Sequence, residues 1–367
     1  EPASPFVDSY AMYGSIARSK DGFLVGVVPK NGQEKAAFKR LLTELERMKR
    51  FGFIQSELDR TIANFTSGME KAYNERDKQN SASYMTEYIN HFLENEPTPG
   101  IEWEYNFSKN TLLKKINLQI INRYAQNLAT EKNLIVDISG PDNAKESIPT
   151  EAEILAAINA STREFVKPYE EKNVNKPLID ESKLKPGRVT KQEYNSKLGT
   201  TELTLSNNIR VILKPTDFKN DEILMRAISF GGTSTMKEKS KLMSCAYATT
   251  IATNNGLGKF SKTQLNHLLA GKNASISPYI STYGEGIKGS SSKKDLETML
   301  QLTHMEFGKP RTDDKAFAAF MNELRTSVAN SEADPGKIYS DSLNLTLSCH
   351  SPRALIVNSR TINSISQ

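Results

Sequence analysis

The most prominent residues that could do chemistry are the glycines of Gly284-Glu-Gly286-Ile-Lys-Gly289, a literal G-x-G-x-x-G. In a dinucleotide site such glycines form the turn between a strand and a helix, and the helix N-terminus receives the pyrophosphate. Here Ser290, Ser291 and Ser292 intervene before any helix start, and no later strand ends in an acidic residue at the required distance. The glycines therefore read as part of a strand. Gly258-Lys259 and Gly271-Lys272 lack the earlier glycine and the following Ser or Thr of a phosphate loop. Metal chemistry would have to use His91, His267, His304 and His350. His91-Phe-Leu-Glu94 has one-turn helical spacing and His304-Met-Glu306 does not share a face. Neither supplies a second histidine, so no metal ligand is assigned. No G-x-S-x-G elbow occurs, and Cys245 falls in a helical pattern, where a buried thiol is inert. No catalytic residue is assigned either.

The elements that would have to position a site alternate between strands and paired helices. Residues 10–30 predict two strands, with Phe23, Val25 and Val27 facing one way and Pro29 and Gly32 ending the second. Ala36 to Arg50 is an amphipathic helix, and Ser56-Glu-Leu-Asp59 predicts the cap of a second. Tyr84 to Leu93 is a third, broken by Pro97-Thr-Pro99-Gly100, and Leu112 to Leu128 reads as one helix. A strand is expected over Leu134-Ile-Val-Asp-Ile138, stopped by Gly140-Pro141. Residues 165–200 hold Pro168, Pro177, Pro186, Gly187 and seven lysines, the composition of a linker. A hairpin turning at Asn207-Asn208, a strand over 222–230 and a turn at Gly231-Gly232 come next. A helix over about 238–253, one capped by Ser261-Lys-Thr-Gln264, two strands within 274–290, a helix capped by Ser292-Lys-Lys-Asp295 and another near Thr312 complete the pattern. Strands followed by helix pairs, twice over, predict an α+β fold of two related units, each a mainly antiparallel sheet packed with helices.

The composition agrees. The chain has 367 residues with 37% hydrophobic and 25% charged residues, enough for more than one core and unlike a disordered or fibrous chain. A net charge of +5 is too dilute to act as a nucleic-acid footprint, and basic runs such as Lys35 to Arg50 are interleaved with acids. Cys245 and Cys349 are the only cysteines, which excludes a disulfide scaffold and a thiolate zinc cluster. No stretch is long and apolar enough for a transmembrane helix, and no signal-peptide pattern opens the chain. The sequence starts at Glu1 rather than Met and stops after Asn363-Ser-Ile-Ser-Gln367, which predicts a segment of a longer polypeptide. The five N-x-S/T sequons, at Asn64, Asn106, Asn159, Asn273 and Asn344, are read as chance.

Several segments in order carry a resemblance: Phe51-Gly-Phe-Ile-Gln-Ser-Glu-Leu58, Tyr73-Asn-Glu-Arg-Asp77, Glu87-Tyr-Ile-Asn-His-Phe-Leu93 and Glu96-Pro-Thr-Pro-Gly-Ile101. Leu205-Ser-Asn-Asn-Ile-Arg-Val-Ile-Leu-Lys214, Ser229-Phe-Gly-Gly232, Gly256-Leu-Gly-Lys-Phe-Ser261 and Leu269-Ala-Gly-Lys272 follow. As a set they resemble the pitrilysin/insulinase family of zinc metallopeptidases in bacterial form. The resemblance implies four related α+β units closing around a chamber that holds an unfolded peptide. It implies that residues 1–165 are the second, noncatalytic unit, 166–200 the linker, and 201–367 a degenerate third unit. The family's H-x-x-E-H places two zinc-binding histidines and a general-base glutamate on one helix. This chain lacks it: at the corresponding positions the resemblance sets Tyr247, Thr250 and Ile251, none of them a zinc ligand.

The resemblance further implies that Ala274-Ser-Ile-Ser-Pro-Tyr279 is a sheet-edge strand able to pair with extended peptide through its backbone. Alternation puts Ser275, Ser277 and Tyr279 on one face and leaves open which face lines a chamber. The strand also fits ordinary packing on helices. The function implied is that of a noncatalytic, chamber-forming part of a zinc endopeptidase that degrades peptides or unfolded polypeptides, inactive alone. The zinc would sit in a catalytic unit outside this chain. The alternative is a complete nonenzymatic peptide-binding or structural partner of an active peptidase. The implied partners are a peptide substrate and that catalytic unit or partner, and the implied compartment is the bacterial periplasm or envelope.

Overall fold

A computed structural model describes residues 4–130, 132–140, 147–171, 176–332 and 334–366. Glu1 to Ala3, Pro141, residues 172–175 of the expected linker and Gln367 lie outside the described residues. Strands β1 (Phe6–Ala17) and β2 (Lys20–Pro29) form an antiparallel hairpin. Phe23, Val25 and Val27 are drawn inward, while Leu24 and Val28 on the other face are exposed. Helix α1 (Glu34–Phe51) packs beside β2 with an acid in its first turn and Lys49 and Arg50 in its last, as the helix dipole favours.

Helix α2 (Gln55–Asn74) starts two residues earlier than its serine predicts. Ile54 is extended and its N–H is taken by the Glu57 carboxylate at 2.9 Å, so Ser56 is not the cap. Its hydroxyl instead donates to Glu171. Helix α3 (Ser81–Glu94) ends at Asn95 in the left-handed conformation. The helix expected over 112–128 is divided. Helix α4 (Ile101–Phe107) runs through a π turn into α5 (Leu113–Lys115), the chain extends at Ile116, and Asn117 caps α6 (Leu118–Leu128) by accepting the Ile120 N–H.

Residues 134–138 are not a strand. They run without ladder partners and Ile135 is 88% exposed, because an apolar run becomes a strand only where a neighbour offers backbone groups. Helix α7 (Glu151–Ser161), absent from the sequence reading, lies on α1, with Arg50 donating to the Ser161 and Thr162 carbonyls. Its capping box, Thr150 with Glu153, was a readable signal.

Part of the segment assigned to the linker is structured: β3 (Val189–Asn195) pairs with β4 (Thr200–Leu205), which pairs with β5 (Arg210–Leu213) in the expected hairpin. A second three-stranded antiparallel sheet has the order β6 (Ile223–Phe230), β8 (Gly284–Ser291), β7 (Ala274–Ile280). Helices α8 (Leu242–Asn255) and α10 (Leu296–Gly308) pack against it. Ser261 caps α9 (Lys262–Leu268) through both bonds of its box. Ser292 does not cap α10: its hydroxyl donates to Asp295, which itself precedes the helix and also accepts the Asn273 N–H. Helices α11 (Asp314–Ser331), capped by Asp313, and α12 (Pro335–Leu347) follow. Phe260, fully buried, joins Leu257, Leu302 and Met305 in one core, and Ile179 from the linker completes it. A second core unites Met243, Ile251, Phe320 and Ile362. The fold is α+β, as the alternation of strands and helix pairs predicts.

Helix α2 is the strut between the two halves. Asn64 accepts the Gly271 N–H at 2.7 Å, Glu70 pairs with Lys294, and Asn74 donates to Asp221 at 2.8 Å. At its end the buried Glu75 carboxylate accepts the backbone N–H groups of Asn220 and Asp221 at 3.1 and 2.7 Å.

Candidate functional site

The three-stranded sheet β6–β8–β7 has two unlike faces. Cross-strand partners share a face, so Met225, Gly289 and Ile276 form one row, and Ala227, Ile287 and Pro278 the next. That side is covered: a Cβ on Gly289 would meet Met299 of α10, and Ile287 is 2% exposed. The opposite face holds the rows Leu224, Ser290, Ser275; Arg226, Lys288, Ser277; and Ile228, Gly286, Tyr279. Leu224, Arg226, Ile228, Lys288, Ser275 and Ser277 are exposed on it. Ser275, Ser277 and Tyr279 thus share the open face, on a strand at the edge of the sheet.

Tyr279 is half-buried because its partner across the ladder is a glycine. Its hydroxyl passes over Gly286 to donate to the Ala227 carbonyl at 3.3 Å, spanning all three strands. The Arg226 guanidinium lies 5.7 Å and the Lys288 ammonium 5.4 Å from its ring centre. At one end this face runs into a cleft of about 220 Å³ against α2, lined by Lys71, Glu222, Lys272 and Ser291 among others. Arg226 and Lys288 were invisible to the sequence reading, since only the non-local pairing of β6 with β8 sets them side by side.

Tyr247, Thr250 and Ile251 belong to α8 and not to this sheet face. Tyr247 packs on Phe320 of α11 with ring centres 5.9 Å apart, and burial pushes its phenol up from the ordinary value. Ile251 is in the same core and Thr250 is exposed. Zinc takes imidazole, thiolate or carboxylate ligands. These side chains do not fit it, and no group of three or more such residues converges among the described residues. The one-turn pair His91 and Glu94 is drawn to separate partners: His91 Nδ1 lies 2.7 Å from the Glu96 carbonyl oxygen, and Glu94 is 3.7 Å from Arg18. The Gly284 to Gly289 run lies inside β8 and forms no phosphate-binding turn.

One buried polar node joins the two halves near this sheet. The Glu171 carboxylate accepts from Arg60 of α2 at 2.8 Å and from Ser56, and its other oxygen is 2.8 Å from His267 Nδ1 of α9. That oxygen is buried and takes no hydrogen bond, so His267 is its neighbour and not its donor. The Arg60 hydrogen bond, against the opposing effect of burial and with help from Ser56, holds the carboxyl below its usual range. A carboxyl depressed on folding contributes stability above its unfolded pKa and loses it as pH falls through the folded one. The stability difference between the native chain and Glu171→Gln should therefore be full above the ordinary value of 4.5 and shrink in more acidic buffer. Urea midpoints of both proteins across that range check this, and a pH-independent difference would remove the ionised node from the account.

No family model matches the chain. It is 32% identical over 297 residues to a protein from Arabidopsis thaliana named zinc protease PQQL-like. It is 24% identical over 294 residues to a probable zinc protease PqqL from Haemophilus influenzae. Each alignment takes in 80% of this chain but only 28% and 31% of the relatives, so the chain spans less than a third of their length. Among solved structures, the ferredoxin protease FusC, crystallised with Arabidopsis ferredoxin, covers 98% of this chain with a TM-score of 0.56. This chain covers 40% of FusC at 18% identity, a likeness of fold.

Proposed function

We propose that this chain, which belongs to the pitrilysin/insulinase family of zinc metallopeptidases, forms a noncatalytic wall of a chamber in which a zinc-dependent endopeptidase degrades peptides or unfolded polypeptides. The observation that carries the reading is the pairing of α8, whose Tyr247, Thr250 and Ile251 offer zinc nothing, with a sheet that keeps one face and the β7 edge open. A catalytic helix would need imidazoles there, whereas a wall needs only surface and backbone. Zinc belongs, on this proposal, to a catalytic unit outside this chain, which is the partner of the surfaces described here. The exposed Tyr84, Met85, Tyr88 and Phe92, which line one groove on α3, support a partner, since contiguous exposed apolar surface marks interaction sites. The ferredoxin bound by FusC supports a polypeptide as the substrate class. We place the protein in the bacterial periplasm or envelope by the same family resemblance. No described helix is long and apolar enough to cross a membrane.

The test is zinc content by elemental mass spectrometry after purification in zinc-supplemented buffer, with a quenched-fluorescent peptide assay on the same sample. Background zinc and no cleavage are expected. Stoichiometric zinc with chelator-sensitive cleavage would overturn the noncatalytic assignment and return His91 or another histidine to the ligand set.

A further inference from the structure

Arg226 and Lys288 sit directly opposite each other on neighbouring strands, on the open face of the sheet. Like charges in that position repel and destabilise a ladder. Among the described residues neither makes an ion pair, and the ring of Tyr279, from the neighbouring row, lies beside both cations. Ser277 extends the row onto the edge strand with an exposed hydroxyl. Two cations and a hydroxyl aligned across three strands form a receptor for carboxylate, and an anion placed there removes the repulsion that the bare fold sustains. The flanking Leu224 and Ile228 are exposed and apolar, which suits the side chains of an unfolded polypeptide and not a phosphate backbone.

We propose that this sheet face selects acidic segments of an extended polypeptide, with Arg226 and Lys288 as the specificity-determining residues. The proposal rests on the chamber-wall reading above and adds the substrate class. The chain's overall charge is too dilute to produce such a preference, so it would have to arise locally, from this row. The adjoining cleft sets Asp221 and Glu222 against Lys71 and Lys272, and Lys272 also pairs with Asp295, so the uncompensated positive charge is confined to the Arg226 row.

The experiment is fluorescence anisotropy on the purified chain with labelled, unstructured peptides of equal length built from Gly and Ser with Glu, Gln or Lys. An oligothymidylate is the competitor. The Glu peptide should bind about tenfold more tightly than the Lys peptide at low ionic strength, the size expected of two exposed charge pairs, and the gap should narrow as salt screens it. The double variant Arg226→Gln with Lys288→Gln should erase the discrimination, bringing the Glu and Lys peptides within about twofold of each other, because both side chains are exposed and the fold does not depend on them. An unchanged thermal melt of the variant controls for folding. Equal binding of all three peptides would overturn the acidic preference and leave the chamber-wall reading standing. Binding of none would overturn both. Displacement of the Glu peptide by oligothymidylate at lower concentration than by unlabelled Glu peptide would assign the row to nucleic acid and overturn the proposal.

Discussion

Glu75→Ala is expected to lower the unfolding free energy by about 3 kcal/mol, from two charge-assisted hydrogen bonds lost and two backbone donors stranded. The carboxylate stands at the C-terminal end of α2, where the helix dipole disfavours a negative charge. It is 4% exposed, so it has left water as well. Both penalties are offset by the N–H groups of Asn220 and Asp221, one on each oxygen, at 3.1 and 2.7 Å. Those residues lead into β6, and around them Asn220 donates to the Asn74 carbonyl and Lys219 to the Lys78 carbonyl. Glu75 is thus where the first half grips the strand that carries Arg226. Glu75→Gln should lose nearly as much, because the amide presents a donor to one of two donors. Trp103, the only tryptophan, sits in α4 and reports on the first half by fluorescence, while circular dichroism reports on both. In urea, the alanine variant should shift both transitions and separate them, since the strut no longer couples the halves. Coincident transitions with a loss under about 1 kcal/mol would show that α2 does not depend on this carboxylate.

What could be read from the sequence was local. The β1–β2 hairpin, the Asn207-Asn208 turn and the Ser261 capping box are each specified within a few residues, and each formed where expected. Ser56 and Ser292 carried the same signature and failed as caps: the distant Glu171 takes the Ser56 hydroxyl, and Ser292 donates to its own box partner Asp295, which is held before the helix by the Asn273 N–H. Residues 134–138 had a strand's composition without a strand to pair with, and Val189–Asn195 had a linker's composition with one. Burial follows periodicity, but pairing depends on what the rest of the chain brings alongside. The same limit hid the site. Ser275, Ser277 and Tyr279 could be placed on one face from alternation alone. The residues that give the face its charge lie on β6 and β8, and Glu75 meets its partners 145 residues further along the chain. No local pattern marks such contacts.

Gly286→Ala tests whether the open face has the geometry described, and it should destabilise the chain by about 3 kcal/mol, the upper end of overpacking. A Cβ at this position would lie 1.9 Å from the Ala227 carbonyl oxygen and 3.2 Å from the Tyr279 hydroxyl. The first contact is backbone of a paired strand, and β8 is held on both sides, by β6 and by β7, so neither neighbour can retreat without giving up ladder bonds. The second contact removes the space through which Tyr279 crosses β8, and with it the ring that lies beside Arg226 and Lys288. Two other glycines calibrate the result. At Gly289 the added carbon meets Met299 Sδ at 2.8 Å and Met225 Cε at 2.9 Å, the ends of flexible side chains that can move aside. At Gly14 it meets nothing within 4 Å. Urea midpoints should therefore fall in the order Gly14→Ala near the native value, Gly289→Ala lower, and Gly286→Ala lowest. The Gly286 variant, measured below its midpoint, should also lose the preference for the Glu peptide, because displacing Tyr279 lets Arg226 and Lys288 swing apart. A Gly286→Ala midpoint equal to that of Gly14→Ala would mean that the strands are not packed as tightly as the Tyr279 bridge requires, and the assignment of a shaped, charged row on this face would fall with it.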